Sequence, residues 1–313
     1  MKGILTIVLS FCFSIIFGQN YLRYYLQVNE AKLLAVDSNY LQSALLYQKT
    51  FEEYDFEFAR DCIHAVEVAA VLKQDSLTAY FLKCDLKRGV PISYFDREPE
   101  LEEFRSSTYY SAINDSALRY RQEFESGINK DLRNEINAMF AEDQRIRERY
   151  YKWWNFPFKP IIGNKWEKLN QEQVIRIIEI TKVYGFPGEK LIGIDFPEYH
   201  DKIDSTQFSA GMPIIIFIHH YSQPNPSYDS ILLGQVFKGN LYNEHFATIC
   251  DFEAAFGKGK YECFGYYGLR QKPKNYTSNQ FIEKRNEIGA LSDNDIQKLN
   301  RSKLLTRFWN RLK

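Results

Sequence analysis

Apolar positions in the first half of the chain recur every three to four residues, and the recurrence is interrupted at intervals. In "NYLQSALLYQKTFEEY", beginning at Asn39, Leu41, Ala44, Leu45, Leu46 and Phe51 fall on one broad face. "EFARDCIHAVEVAAVL" repeats the spacing with Ala59, Cys62, Ile63, Val66, Ala69 and Ala70. "DSLTAYFLKCDLKRGV" opens acidic, carries apolar Leu77, Tyr80, Phe81 and Cys84, turns basic, and stops at Gly89 before Pro91. Helical period with such start and stop signals predicts three consecutive helices. A connector over 91–113 follows, and further helices are expected at about 112–126 and 130–153, parted by the break at Gly127–Asn129.

The second half is less regular. "MPIIIFIHHYSQPNPSYDS" (212–230) is a run of isoleucines ending in His219 and His220. Pro213 suits the first turn of a helix, where a missing N–H is no loss. The β-branched run from Ile214 to Ile216 equally suits a short buried strand, and periodicity alone does not decide. "AAFGKGKYECFGYYG" alternates aromatic and polar positions about a glycine turn, which predicts a small β-hairpin near 250–268. "KLLTRFWNRLK" at the end reads as a basic amphipathic helix with Leu304, Leu305, Phe308 and Leu312 on its apolar stripe. The expected fold is mainly α (α+β): a helical-repeat-like segment over 19–126, then an α-rich domain over 127–313 with one small hairpin.

Two resemblances sharpen this reading. The first and third helices begin about 35 residues apart, close to a helix–turn–helix repeat period, and the segment resembles a tetratricopeptide-type repeat. The signature Trp, Gly and Pro positions are not met. Such a resemblance implies a groove for a protein or peptide partner; the same helices also read as a scaffold for the second half. Further along, "MFAEDQRIR" carries a D-Q-x-x-R element after the apolar stripe Leu132, Ile136, Met139 and Phe140. "YGFPGEKLIG", "IIIFIHH", "FATICD", "ECFGYYG" and "RNEIG" follow in order. This series resembles the motifs of an uncharacterised bacterial domain of unknown function, over residues 130 to about 295. The resemblance implies that 212–220 is helical and that His220 is the family's histidine. Phe252 after Asp251, and Tyr266-Tyr267 at the hairpin end, depart from the pattern.

The first residues bear on compartment. Lys2 precedes the uncharged stretch "ILTIVLSFCFSIIF" (Ile4 to Phe17), which is shorter than the ~20 residues a spanning helix needs. It fits a secretory signal over 1–18, cut after Gly18, and so a secreted or periplasmic protein with no transmembrane span after cleavage. A lipoprotein anchor at Cys12 is disfavoured, because Phe11 stands where a small residue is needed. Lys plus Arg and Asp plus Glu number 40 each, so no overall field draws the chain to nucleic acid or anionic lipid. Outside a reducing compartment Cys62, Cys84, Cys250 and Cys263 permit disulfides, with Cys62–Cys84 and Cys250–Cys263 the preferred pairs.

Candidate chemistry collects on the matched motifs. Asp143 and Arg147 are i and i+4 on one helix, with Gln144 beside them. A polar site built from His220, Asp251 and Asp143 as acid–base groups, with Gln144, Arg147, Arg285 and His219 binding ligand, is set against a structural clasp made of the same residues. His220 is expected within hydrogen-bond or one-water reach of the Asp143–Gln144–Arg147 face, with Asp251 or Arg285 nearby. None of His64, His200, His219, His220 and His245 lies in an H-E-x-x-H or H-x-x-x-H element, so no metal and no cofactor is expected. No G-x-S-x-G elbow or Walker loop occurs, and Cys250 is read as a disulfide half, not a nucleophile. Two functions stand: an interaction or scaffold protein of the cell envelope, and an exported hydrolase-like enzyme with a His/Asp/Arg site.

Overall fold

The computed structural model describes residues 20–96, 98–194, 211–257, 267–268 and 279–301, and among them the protein is built of helices with no strand. The first half holds α1 (Tyr21–Val36), α2 (Tyr40–Glu53), α3 (Ala59–Val71) and α4 (Asp75–Lys87). Three short 3-10 turns lead to α5 (Thr108–Asp115) and α6 (Ala117–Gly127). The second half holds α7 (Lys130–Tyr151), a 3-10 turn at Trp153–Phe158, α8 (Lys159–Tyr184) and the single turn α9 (Glu189–Ile192). Then come α10 (Met212–His220), α11 (Asp229–Phe237), α12 (Asn243–Phe252), α13 (Asn279–Glu287) and α14 (Asp293–Arg301).

The three helices expected over 39–89 are α2, α3 and α4, and the one expected at 112–126 is two, parted at Ser116. The stripe on α3 understates its burial. Every residue from Ala59 to Ala70 is buried, including Arg60, Asp61, His64 and Glu67. Sequence neighbours pack as pairs, α1 on α2 and α3 on α4. The other faces of α1 and α3 meet the second half, and one hydrophobic cluster takes in residues from Tyr21 to Ala290.

A buried polar knot ties the halves. Lys32 Nζ lies 3.1 Å from Asp61 Oδ1, with side-chain exposures of 3% and 0%. Tyr24 donates to Asp61 Oδ2 at 3.1 Å, and Tyr242, from the loop before α12, donates to Asp61 Oδ1 at 3.2 Å. Above it the Arg60 guanidinium stacks on the Tyr242 ring and contacts Glu244 and His245. A charge this deep persists only when paired and hydrogen-bonded, and Asp61 has both.

α7 and α8 form an antiparallel hairpin. The contacts Glu135–Arg176, Met139–Gln173 and Asp143–Trp166 climb one helix while descending the other. Asn129 caps α7 by accepting the Leu132 N–H at 3.0 Å. α8 ends at Gly185, whose φ of 94° is open chiefly to glycine. At Gly188 an added Cβ would meet the Asn240 carbonyl oxygen at 2.3 Å, so this turn fits only with glycine there. α10 is a helix opened by Pro213 in its first turn, as the resemblance implied, and it packs against both α7 and α8.

Two expectations change. The hairpin near 250–268 is not seen: α12 runs to Phe252 and continues as a π-turn over Glu253–Gly257. Glu253, Ala254 and Ala255 are all buried, and consecutive side chains can face one core only if the chain stays coiled, since a strand alternates faces. Residues 258–266, Cys263 among them, lie outside the described residues. Cys62, Cys84 and Cys250 are free thiols. Cys62 on α3 is buried and Cys84 on α4 half-buried, and the two are not at bonding distance, so the preferred Cys62–Cys84 bridge is not formed. No helix among the described residues is long and apolar enough to cross a membrane. The signal-peptide expectation over 1–18 and the amphipathic tail from Lys303 lie outside the described residues.

Candidate functional site

Asp143 is the centre of the polar cluster. It sits on the face of α7 that looks into the groove between α8 and α10, and it is completely buried. Trp166 Nε1 donates to its Oδ1 at 2.7 Å, and Gln144 Nε2 to its Oδ2 at 2.8 Å. His219 Nδ1 lies 3.0 and 2.8 Å from the two oxygens. Asn170, one turn beyond Trp166, adds an N–H to Oδ1 at 3.0 Å in the amide orientation that satisfies its neighbours. A carboxylate ringed by N–H donors acts only as acceptor, so His219 donates from Nδ1, and in the neutral ring it is Nε2 that carries the lone pair. The imidazole is further held edge-on to Trp166, ring centroids 5.1 Å apart.

Nε2 of His219 has no partner among the described residues and is not sealed from solvent. It belongs to the wall of a cleft of about 790 Å³ between α7, α8, α10 and the end of α12. Tyr150, Tyr151, Trp166, Phe252 and Phe256 supply its apolar walls, Arg147 and Lys159 its cations, and Glu167 its acid. The Arg147 guanidinium lies 5.6 Å from the Tyr151 ring and the Lys159 ammonium 5.3 Å from the Tyr150 ring. Neither cation is in an ion pair among the described residues, so both are available to an anion.

The histidine assignment is therefore corrected. His219, not His220, meets the Asp143 face, because neighbouring positions on a helix point about 100° apart and α10 is rotated with His219 toward α7. His220 contributes to the cleft wall but is only 2% exposed, its ring set beside Tyr221 and Tyr228. Burial lowers its pKa to about 4, with the Pro226 backbone opposing, so it is a neutral packing residue near neutral pH. Asp143 and Arg147, though i and i+4 on one helix, do not pair: Arg147 is exposed and reaches Gln144 Oε1 at 3.5 Å.

Asp251 and Arg285 serve a different structure. Asp251 Oδ1 accepts the N–H groups of Tyr267 and Gly268 at 2.6 and 3.1 Å. Arg285 donates to the carbonyls of the same two residues at 2.7 and 2.8 Å and pairs with Asp293 at 2.7 Å. One side chain grips the turn by its donors and the other by its acceptors. No hydrogen bond or ion pair joins either residue to Asp143 or His219, so here the clasp reading describes the geometry. Cys250 is no nucleophile either: burial and Asp229 push its thiol far up. Among the described residues no group of three or more His, Cys, Asp or Glu side chains is arranged to hold a metal ion.

Sequence reasoning missed Trp166 and Asn170 on α8 and the aromatic walls of the cleft. The spacing of Trp166 and Asn170, i and i+4 on one helix face, was visible in "NKWEKLN", but nothing local tied it to Asp143. What the fold and site define is a mainly helical protein with a buried carboxylate–histidine pair opening on an aromatic cleft. No protein-family model, curated protein or solved structure matches the chain.

Proposed function

We propose that the protein is exported and binds a small anionic molecule in the α7–α8–α10 cleft, where His219 transfers a proton to or from it. One observation carries the reading: a buried, fully hydrogen-bonded Asp143 fixes the tautomer of His219 and leaves Nε2 open to the cleft. In such a pair the carboxylate orients the ring and stabilises the imidazolium that forms as Nε2 takes a proton from water or a hydroxyl. Arg147 and Lys159 supply charge for an acyl or phosphoryl oxygen, and the aromatic walls supply the apolar burial typical of small-molecule sites. Hydrolysis with water as nucleophile is the reaction class this set of groups serves.

The partner-binding reading of the helical-repeat half has less support. α1 packs against α11 and α14, and α3 meets Glu244 and His245 of α12 through Arg60 and Tyr242 through the Asp61 knot, so these helices are engaged with the second half. Turnover of chromogenic carboxylic esters, phosphomonoesters and phosphodiesters tests the proposal. Activity on one class, reduced at least a hundredfold in His219→Ala with the fold intact, is expected. Equal turnover by wild type and His219→Ala, or none on any class, overturns it.

A further inference from the structure

The turn joining α7 to α8 is unlike the rest of the surface. Tyr151, Trp153, Trp154, Phe156, Phe158 and Ile161 are exposed by between 56% and 81%, and no residue of the 3-10 turn Trp153–Phe158 is buried. Large aromatic rings normally supply core, and a contiguous exposed group of them marks a surface that is covered in use. Asn155 ties the turn back to the Arg149 carbonyl at 2.8 Å, and Pro157 and Pro160 stiffen it.

Charge says what covers it. From 147 to 165 the chain carries Arg147, Arg149, Lys152, Lys159 and Lys165 against Glu148 alone, in a protein of zero net charge. None of the five cations is in an ion pair among the described residues. Lys152 lies 5.6 Å from the Trp154 ring and Lys159 5.9 Å from the Phe156 ring, so cations and aromatics interleave at the tip. Tyr and Trp rings favour the headgroup level of a bilayer, and Lys and Arg are drawn to anionic headgroups.

We propose that the Trp153–Phe158 tip is a peripheral docking site for an anionic lipid bilayer, its rings seated among the headgroups and its cations against lipid phosphate. An exposed turn with cations around its rings suits a deformable planar surface better than a protein groove. The tip adjoins the cleft, since Tyr150, Tyr151 and Lys159 line it, so docking brings the cleft mouth to the headgroups.

Co-sedimentation with vesicles of phosphatidylcholine containing 30% phosphatidylglycerol, in ~0.05 M and ~0.5 M salt, is the test, because screening at the higher salt shortens the reach of the cations several-fold. Wild type is expected to bind at low salt and weaken as salt rises, with a blue shift in tryptophan emission. Trp153→Ala/Trp154→Ala and Lys152→Glu/Lys159→Glu are each expected to bind at least tenfold more weakly while melting like wild type. All variants share the same N-terminus, so the difference reads the tip. His219→Ala should bind as wild type does, which separates failure of docking from failure of the proton-transfer reading. The proposal is overturned if wild type does not sediment with these vesicles or if both tip variants bind equally well. Light scattering that shows a dimer abolished by Trp153→Ala/Trp154→Ala overturns it too, since a second copy then covers the tip.

Discussion

Replacing Asp143 by Asn changes one atom of the buried carboxylate and tests the site at its centre. The Asn oxygen keeps the Trp166 bond now made at 2.7 Å. The new NH2 group then faces Gln144 Nε2 and His219 Nδ1, both of which now donate to the other oxygen at 2.8 Å. Gln144 is half-buried and can turn its amide over. His219 can answer only by moving its proton to Nε2 so that Nδ1 accepts. The bonds from Gln144 and His219 must reverse, and those from Trp166 and Asn170 lose their charge assistance, a loss of about 1–3 kcal/mol in total. At roughly 2–4 °C per kcal/mol for a large domain, melting should fall by about 2–12 °C. Asp143→Ala, which leaves every donor facing a cavity, should cost about 3 kcal/mol or more. The decisive assay is the histidine tautomer, read from long-range nitrogen–proton correlations with His219 assigned through His219→Ala. Wild type should show a bare Nε2 and Asp143→Asn a protonated one, with base function lost. A bare Nε2 in Asp143→Asn, or melting unchanged from wild type, would refute the argument that Asp143 sets the state of the ring.

Three further outcomes follow from buried ionisable groups. The His220 pKa of about 4 lies below its ordinary 6.5, so its contribution is present above pH 6.5 and lost as pH falls toward 4. His220→Gln should remove about 2–3 kcal/mol of that acid limb in pH-dependent denaturation, and an unchanged limb would count against the burial argument. Asp85 has the opposite sign: fully buried with neither oxygen hydrogen-bonded, its pKa is raised well above the ordinary value. Its contribution is present at low pH and lost as pH rises, so Asp85→Asn should gain about 1–3 kcal/mol on wild type between pH 4 and pH 8. Equal pH slopes in the two proteins would exclude it. Asp61→Ala strands Lys32 in the core and should cost about 3–5 kcal/mol in urea denaturation, and a cost under 1 kcal/mol would show that the knot does not hold the halves together.

Local pattern by itself determined the helical character, and for a physical reason. Stripes such as Leu132, Ile136, Met139 and Phe140 must share a face whatever they pack on, and Gly89 with Pro91 must end a helix in any context. It also marked the two histidines ending an apolar run and the i, i+4 spacing of Asp143 and Arg147, while Gln144 entered through the family resemblance. What it left open was direction. The rotation of α10 decides between His219 and His220, and only packing against α7 and α8 sets that rotation. The residues from 250 onward carry an alternation that suits a strand, yet Glu253, Ala254 and Ala255 stay in a coil because the core takes all three. Trp166 and Asn170 join Asp143 across a helical hairpin, and Asp61 meets Tyr242 across 181 positions of chain. Contacts at that separation leave no local trace, because each side chain is compatible with many partners until the fold brings one within reach.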